Sequence, residues 1–293
     1  MDATQRIERS LAAAVGGAET SGCPPLLARA VRHAVFPGGA RIRPQLCLAV
    51  ARACGDDDPA LTDAAAAAIE LLHCASLVHD DLPCFDDAPM RRGQPSVHAA
   101  YGERLAVLAG DALIVLAFEH LGAGAAASPR RLPAVLGTIA RSVGMPHGIV
   151  AGQAWECEPW VALPDYQRAK TGSLFAAATE VGALVAGADA ARWRPFGQWL
   201  GEAYQVADDI RDVAASPDDI GKPVGRDRAL SRPNAVHDHG PAGALAHFAR
   251  LMQRTLEAIP ECTGSAALRR LVHMESQRLV PQSLAQSLAR VAA

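Results

Sequence analysis

The chain is expected to fold as an all-α protein, for three reasons. Apolar residues recur at helical spacing and nowhere settle into the period-two alternation of a half-buried strand. Glycine and proline, 25 and 20 of the 293 residues, punctuate these stretches and divide the chain into helix-sized segments. Half of the chain is hydrophobic but only 4% is aromatic. Alanine and leucine dominate, and both favour helix, whereas strands favour β-branched and aromatic residues. This length can bury a sizeable core, and no shift in composition marks a boundary, so residues 1–293 are read as one large helical domain.

The elements follow from local signals. A first helix spans residues 2–15 and should end at Gly16-Gly17, and a second starts after Pro24-Pro25 and runs to Phe36, ahead of Pro37-Gly38-Gly39. Arg41-Ile42-Arg43-Pro44 opens a third. Thr62 or Asp63 is a candidate cap for a long helix through Ala64–Ala68 that ends near Asp81. Leu82 precedes Pro83, which pushes it out of the helical region, so Asp86 and Asp87 are expected on a loop. Further helices are expected over residues 103–121, 132–143, 148–157, 164–185, 196–215, 242–259, 265–279 and 281–291. Residues 216–233, rich in Gly, Pro and Asp, form the longest stretch without a pattern, and such loops often serve as lids.

Charge and cysteine usage narrow the classes of function. The net charge of −3 does not indicate a nucleic-acid surface. Seven cysteines, odd in number and without a CxxC pair, point to free thiols in a reducing cytoplasm. The N-terminus mixes both charge signs and lacks the pattern of a signal peptide. The uninterrupted apolar runs are shorter than the ~18 residues of a membrane span, so no transmembrane segment is expected.

Two aspartate-rich stretches carry the chemistry. The first is Asp80-Asp81-Leu82-Pro83-Cys84-Phe85-Asp86-Asp87, followed by Arg91-Arg92-Gly93; the second is Gln205-Val206-Ala207-Asp208-Asp209-Ile210-Arg211-Asp212. Carboxylates suit Mg²⁺ and guanidiniums suit phosphate, so the pairing suggests a polyphosphate held through bridging metal ions. His73, Leu77 and Asp80 fall at i, i+4 and i+7 with Ser76 beside them, and Asp208 and Asp212 are four apart with Gln205 one turn earlier. Like charges at that spacing repel unless a cation lies between them.

These residues resemble the trans-isoprenyl diphosphate synthases, especially the geranylgeranyl-type enzymes of bacterial carotenoid pathways. The two aspartate motifs carry the resemblance, with Gly152-Gln153, Lys170-Thr171-Gly172 and Gly221-Lys222-Pro223-Val224-Gly225-Arg226-Asp227 in the family's order. It implies a bundle of about ten or more helices around a central apolar cavity, working as a homodimer, and head-to-tail condensation of isopentenyl diphosphate with a C5, C10 or C15 allylic diphosphate. It also implies about three Mg²⁺ ions, with Asp80, Asp86 and Asp208 as ligands and Asp81, Asp209 and Asp212 supporting through water or the outer shell. Arg91, Lys170 and Lys222 would hold the allylic diphosphate, with Arg232 in the same binding set. Arg43, Arg92 and a neutral His73 would hold isopentenyl diphosphate. Oxygens of Lys170 and Thr171, with Gln205, would face the carbocation. Ala75, five residues before Asp80, and Ser76 are small where a bulky residue would stop the tail, which implies a C20 product.

Departures from the family pattern keep alternatives open. Ala40 stands where the family has a lysine that serves isopentenyl diphosphate, Arg226 and Arg232 stand near positions of lysine, and Glu156 replaces an aspartate. The alternatives are a C15 or other chain length, a catalytically silent partner subunit, and a terpene cyclase or squalene-type synthase. Both aspartate motifs are intact, which argues against a silent subunit, and the arginine elements argue for a second diphosphate that a cyclase does not need.

Overall fold

The computed structural model of the chain describes residues 2–36, 38–159, 162–214 and 234–291, and these residues are almost entirely helical. Its centre is α4, Pro59–Asp80, preceded by α1 (Ala3–Ala18), α2 (Pro25–Val35) and α3 (Ile42–Cys54). A two-stranded hairpin, β1 (Met90–Arg91) and β2 (Gln94–Pro95), leads to α5 (Val97–Tyr101), α6 (Glu103–Gly124), α7 (Leu132–Val143) and α8 (Ile149–Ala154). Next come α9 (Leu163–Gln167), α10 (Ser173–Val185) and α11 (Arg194–Ala214). Beyond the second stretch lie α12 (Ala235–Glu257), α13 (Ser265–Leu279) and α14 (Gln282–Val291).

Helix α4 is the core helix because most of its residues are buried. Leu61, Ala64 to Ala68, Ile69, Leu71, Leu72 and Ala75 are all buried, and α3, α6 and α10 pack around it. Small residues let these helices approach closely. A side chain at Gly182 on α10 would put its Cβ 2.5 Å from the Cys47 carbonyl oxygen on α3, and one at Gly124 on α6 would lie 2.3 Å from Ala64 Cβ. Between α3 and α4 lies a buried ion pair, with Arg41 Nη1 at 2.7 Å from Glu70 Oε1 and its Nε at 2.8 Å from Glu8. Burial opposes the Arg41 charge, but these two carboxylates more than offset it and raise its pKa.

Several boundaries differ from those read in the sequence. Helix α1 continues through Gly16-Gly17, since one helical glycine costs only about 1 kcal/mol. Helix α4 starts at Pro59 and not beyond Thr62, because Asp58 caps it by accepting from the Leu61 N–H at 3.2 Å and proline suits the first turn. The helix expected over 164–185 is divided: α9 passes through a π-helical turn, Arg168–Gly172, into α10. Residues 148–157 end in a 3₁₀ turn, Trp155–Cys157. Helix α12 begins at Ala235, where Asn234 accepts from the Val236 N–H at 2.9 Å, and it kinks at Gly240, with φ of 68°, ahead of Pro241. The hairpin strands are too short to show a period in sequence. The candidate lid, with Lys222, Arg226 and Arg232, lies outside the described residues.

The reading of short apolar runs also changes. Helices α4 and α6, 22 residues each, are both long and apolar enough to cross a membrane by length and composition. In α4 that apolarity is spent on the core, since 78% of the apolar window is buried, against 33% in α6. On α6, Val107, Leu108 and Val115 are exposed apolar residues on one face, with exposed Asp111 between them.

The α3–α10 contact has a direct test. Replacing Gly182 by alanine should destabilise the protein by about 1–3 kcal/mol, since backbone faces the added methyl. Denaturant midpoints for Gly182→Ala and wild type measure this, and equal midpoints would mean the contact is slack.

Candidate active site

The long helix α4 presents Glu70, His73, Ser76, Leu77 and Asp80 along one stripe, as helical spacing requires, and this stripe walls a cavity of about 380 Å³. The chain turns sharply after Asp80. The Asp86 N–H donates to the Asp80 carbonyl at 2.9 Å, which brings Asp86 back beside Asp80 on the same cavity. Helix α11 supplies Gln205, Asp208 and Asp212 to this cavity, the π-helical turn supplies Lys170 and Thr171, α3 supplies Arg43, and the hairpin supplies Arg91 and Arg92. The turn is a local departure from α-geometry of the kind that often marks a functional site. It also needs Gly152 on α8, where a Cβ would lie 2.4 Å from the Lys170 nitrogen.

Neighbouring aspartates in each motif point different ways. Asp80 and Asp208 face the cavity, whereas Asp81 and Asp209 do not line it. Asp81 is buried beneath Arg91, whose Nε lies 3.0 and 3.2 Å from its two oxygens and whose Nη2 also donates to it. Asp209 is buried, accepting from Gln205 Nε2 at 2.9 Å and from the Ala235 N–H at 2.8 Å. A direct ligand role for these two is therefore not carried by the geometry; each stands behind a residue that lines the cavity. Consecutive helical residues are about 100° apart, so one of each pair must leave the stripe.

The donor set fits a hard cation. Among the described residues Asp80 Oδ1 is buried and has no hydrogen-bond partner, and Lys170 Nζ lies 3.6 Å from it. Burial, with Asp86 close by, pushes the Asp80 carboxyl above the usual carboxylate range despite Lys170. A divalent cation would relieve both penalties. Among the described residues no group of three acidic, histidine or cysteine side chains is placed to hold a metal ion by itself. Mg²⁺ is often held by one or two carboxylates and completed by substrate phosphates and water, and Asp80 and Asp86 bring two carboxylates to this cavity.

The same cavity carries a group of cations. Arg43 is half-buried, 4.4 Å above the Phe175 ring and 5.9 Å from that of Tyr204, with its Nη1 3.3 Å from His73 Nε2. Burial, then Arg43, Arg92 and other arginines, hold the His73 imidazole well below its ordinary 6.5, so it stays neutral and accepts from Arg43. Arg92 reaches towards Glu70 at 3.7 Å, and Gly39 leaves room for it, since a Cβ there would lie 2.7 Å from Arg92 Cζ.

Tyr166, Tyr204 and Glu70 carried no signal of their own in the sequence, and Glu156 only its departure from the family pattern. Glu156 binds Lys170 and accepts from the Tyr166 hydroxyl at 2.5 Å, while Tyr166 and Tyr204 line the cavity. Glu70 was hidden in an apolar run, and only its helical register, three residues before His73, could have exposed it. Ala40 lines the cavity mouth, as its sequence departure suggested. Ser76 lines the cavity, but Ala75, 2% exposed, is packed in the core, and the cavity does not reach it. Instead of an open apolar chamber, the cavity is walled chiefly by polar side chains above a packed apolar layer, because an apolar interior closes upon itself.

Known proteins match this arrangement. The polyprenyl synthetase family matches residues 24–255. The chain is 52% identical to the geranylgeranyl diphosphate synthase of Cereibacter sphaeroides, over 98% of its own length and 99% of that protein's. It is 48% identical to the enzyme of that name from Rhodobacter capsulatus, over 96% and 97% of the two lengths. Among solved structures, the geranyltransferase of Helicobacter pylori, complexed with magnesium and isoprenyl diphosphate, aligns with a TM-score of 0.77 at 28% identity, covering 98% of this chain and 96% of that one. The geranylgeranyl pyrophosphate synthetase of Pyrococcus horikoshii aligns with a TM-score of 0.77 at 27% identity, over 94% and 96% of the chains. With a family match over most of its length and near-complete alignment to these relatives, the chain belongs to the polyprenyl synthetase family.

Proposed function

We propose that the chain condenses isopentenyl diphosphate head-to-tail with an allylic diphosphate, with geranylgeranyl diphosphate (C20) as product. The observation that carries this reading is the convergence of Asp80, Asp86, Asp208 and Asp212 with Arg43, Arg91, Arg92 and Lys170 on one cavity. The carboxylates would hold Mg²⁺, about three ions by family likeness, which when bound neutralises the charge of the leaving diphosphate. Arg91, kept rigid by Asp81, and Lys170 face that diphosphate. Arg43, Arg92 and neutral His73 form the second anion site, for isopentenyl diphosphate. The allylic C–O bond breaks to a carbocation and diphosphate, the isopentenyl double bond forms the new C–C bond, and a proton is lost. Thr171 and Gln205 face the cation with oxygen dipoles that stabilise it without a full charge that would capture it.

The exposed Val107, Leu108 and Val115 on α6 support a homodimer built on that face. All seven cysteines are free, which supports a reducing, cytoplasmic compartment.

Three expectations test this reading. Asp80→Asn and Asp208→Asn should each lower turnover by about 10³-fold or more, because several kcal/mol of leaving-group stabilisation is lost. Steady-state assays at saturating Mg²⁺ with isopentenyl diphosphate and each allylic primer measure this, and near-wild-type turnover would remove that residue from the site.

Neutral His73 gives a pH signature. Its folded pKa lies below its unfolded value, so the unfolded chain binds the proton more readily. Its contribution to stability is present above about pH 6.5 and is lost as pH falls towards the folded pKa, with a slope of up to about 1.4 kcal/mol per pH unit. Urea denaturation between about pH 7 and pH 5 should therefore show a shallower loss in His73→Gln than in wild type; identical slopes would mean that folding does not shift the titration of His73.

The third concerns chain length. Ala75→Tyr should fold and stop at C15 if the tail opens a path past α4 at this position. If Ala75 only spaces helices, overpacking should cost about 1–3 kcal/mol and leave the product unchanged. A folded variant that still makes C20 would show that the tail runs elsewhere.

A further inference from the structure

Three hydrogen bonds run in series from the cavity wall into the core. The Thr171 hydroxyl donates to Gln205 Oε1 at 2.8 Å, Gln205 Nε2 donates to Asp209 Oδ1 at 2.9 Å, and Asp209 Oδ2 accepts from the Ala235 N–H at 2.8 Å. Thr171 and Gln205 line the cavity, whereas Asp209 is 1% exposed and does not. The direction of this series is set at its buried end. A backbone N–H can only donate, so it claims Oδ2, and a carboxylate offers its other oxygen only as an acceptor. Gln205 must therefore turn its NH₂ group towards Asp209 and its oxygen towards Thr171. A hydroxyl can either give or take a hydrogen bond, so Thr171 does not set the direction but responds to it. Its proton goes to Gln205, which leaves oxygen lone pairs on the cavity side.

We infer that Asp209 is a positioning residue that fixes the polarity of the wall facing the reacting carbon, by locking the Gln205 amide and through it the Thr171 hydroxyl. The inference rests on the prenyl-transfer reading of the cavity, and it gives the second aspartate of this motif a task other than holding metal. In the opposite orientation the Gln205 NH₂ would face Thr171, and the displaced hydroxyl proton would point into the cavity. Positive dipole ends would then meet a developing carbocation. Because Asp209 also holds the first N–H of α12, this orientation is tied to the start of that helix.

Asp209→Asn separates orientation from shape, because it keeps the size of the side chain but makes one of its two ends a donor. Facing the Ala235 N–H, that NH₂ would set donor against donor, so it turns to Gln205 and the Gln205 amide flips. The expected result is a fall in kcat of about 10- to 100-fold, with both KM values within about twofold of wild type. A role confined to folding would instead lower the melting temperature and shift KM. A second readout does not depend on turnover. In protein labelled with ¹⁵N-glutamine, the Gln205 side-chain amide is assigned by its absence in Gln205→Leu, and its protons should lose the downfield shift of a bond to carboxylate in Asp209→Asn. Unmoved Gln205 amide resonances, or a wild-type kcat in Asp209→Asn, would overturn the inference. If wild-type protein makes no prenyl product from any primer, the proposed function falls, and the amide resonances still judge the orientation.

Discussion

The structure depends on keeping several carboxylates charged at the rim of an apolar bundle. Asp80 ends a helix whose other faces are buried, and its Oδ1 is itself buried without a hydrogen bond from any described residue. Such a group is unfavourable in isolation, and burial does raise its pKa. The surrounding architecture answers that cost. The turn to Asp86, the second carboxylate cluster on α11 and the cations of α3, the hairpin and the π-helical turn all converge on the place where a charged ligand would be balanced.

The basic groups are themselves held by carboxylates, most of which lie outside the cavity. Asp81 anchors Arg91, Glu156 anchors Lys170, and Glu70 with Glu8 anchors Arg41 next to Arg43. Each cation thus enters the site with its orientation largely decided, which lowers the entropy lost when a diphosphate binds. Arg43 is held differently, against Phe175 and His73, so its charge remains available to a ligand. Close packing makes this possible: Gly152, Gly182 and Gly201 bring backbone against backbone where any side chain would separate the elements that carry these groups.

The paired aspartates illustrate a division of labour within a short motif. In Asp80-Asp81 and in Asp208-Asp209 the first residue faces the cavity and the second reaches back to hold a neighbour that also faces it. The motif therefore places a charge and stiffens its surroundings in one helical turn. Composition cannot distinguish the two members of a pair, since both are acidic and both sit beside apolar residues.

Local rules were enough to read the helical class, the stripe of His73, Ser76, Leu77 and Asp80, and the exit from α4 before Pro83, because each depends on the helical period or on sterics between adjacent residues. The two aspartate clusters and their arginines could likewise be read as one charged site. Helical register already set Asp80 and Asp208 on the stripes that meet the cavity, but tertiary structure alone decided what their neighbours hold, Arg91 for Asp81 and Gln205 with the start of α12 for Asp209. It also decided that Glu156 and Tyr166 join Lys170, that a π-helical turn interrupts residues 164–185, and that Ala75 lies in packed core beyond the cavity's reach. These outcomes depend on contacts between residues far apart in sequence, and the energy of such contacts is not encoded in any one local stretch.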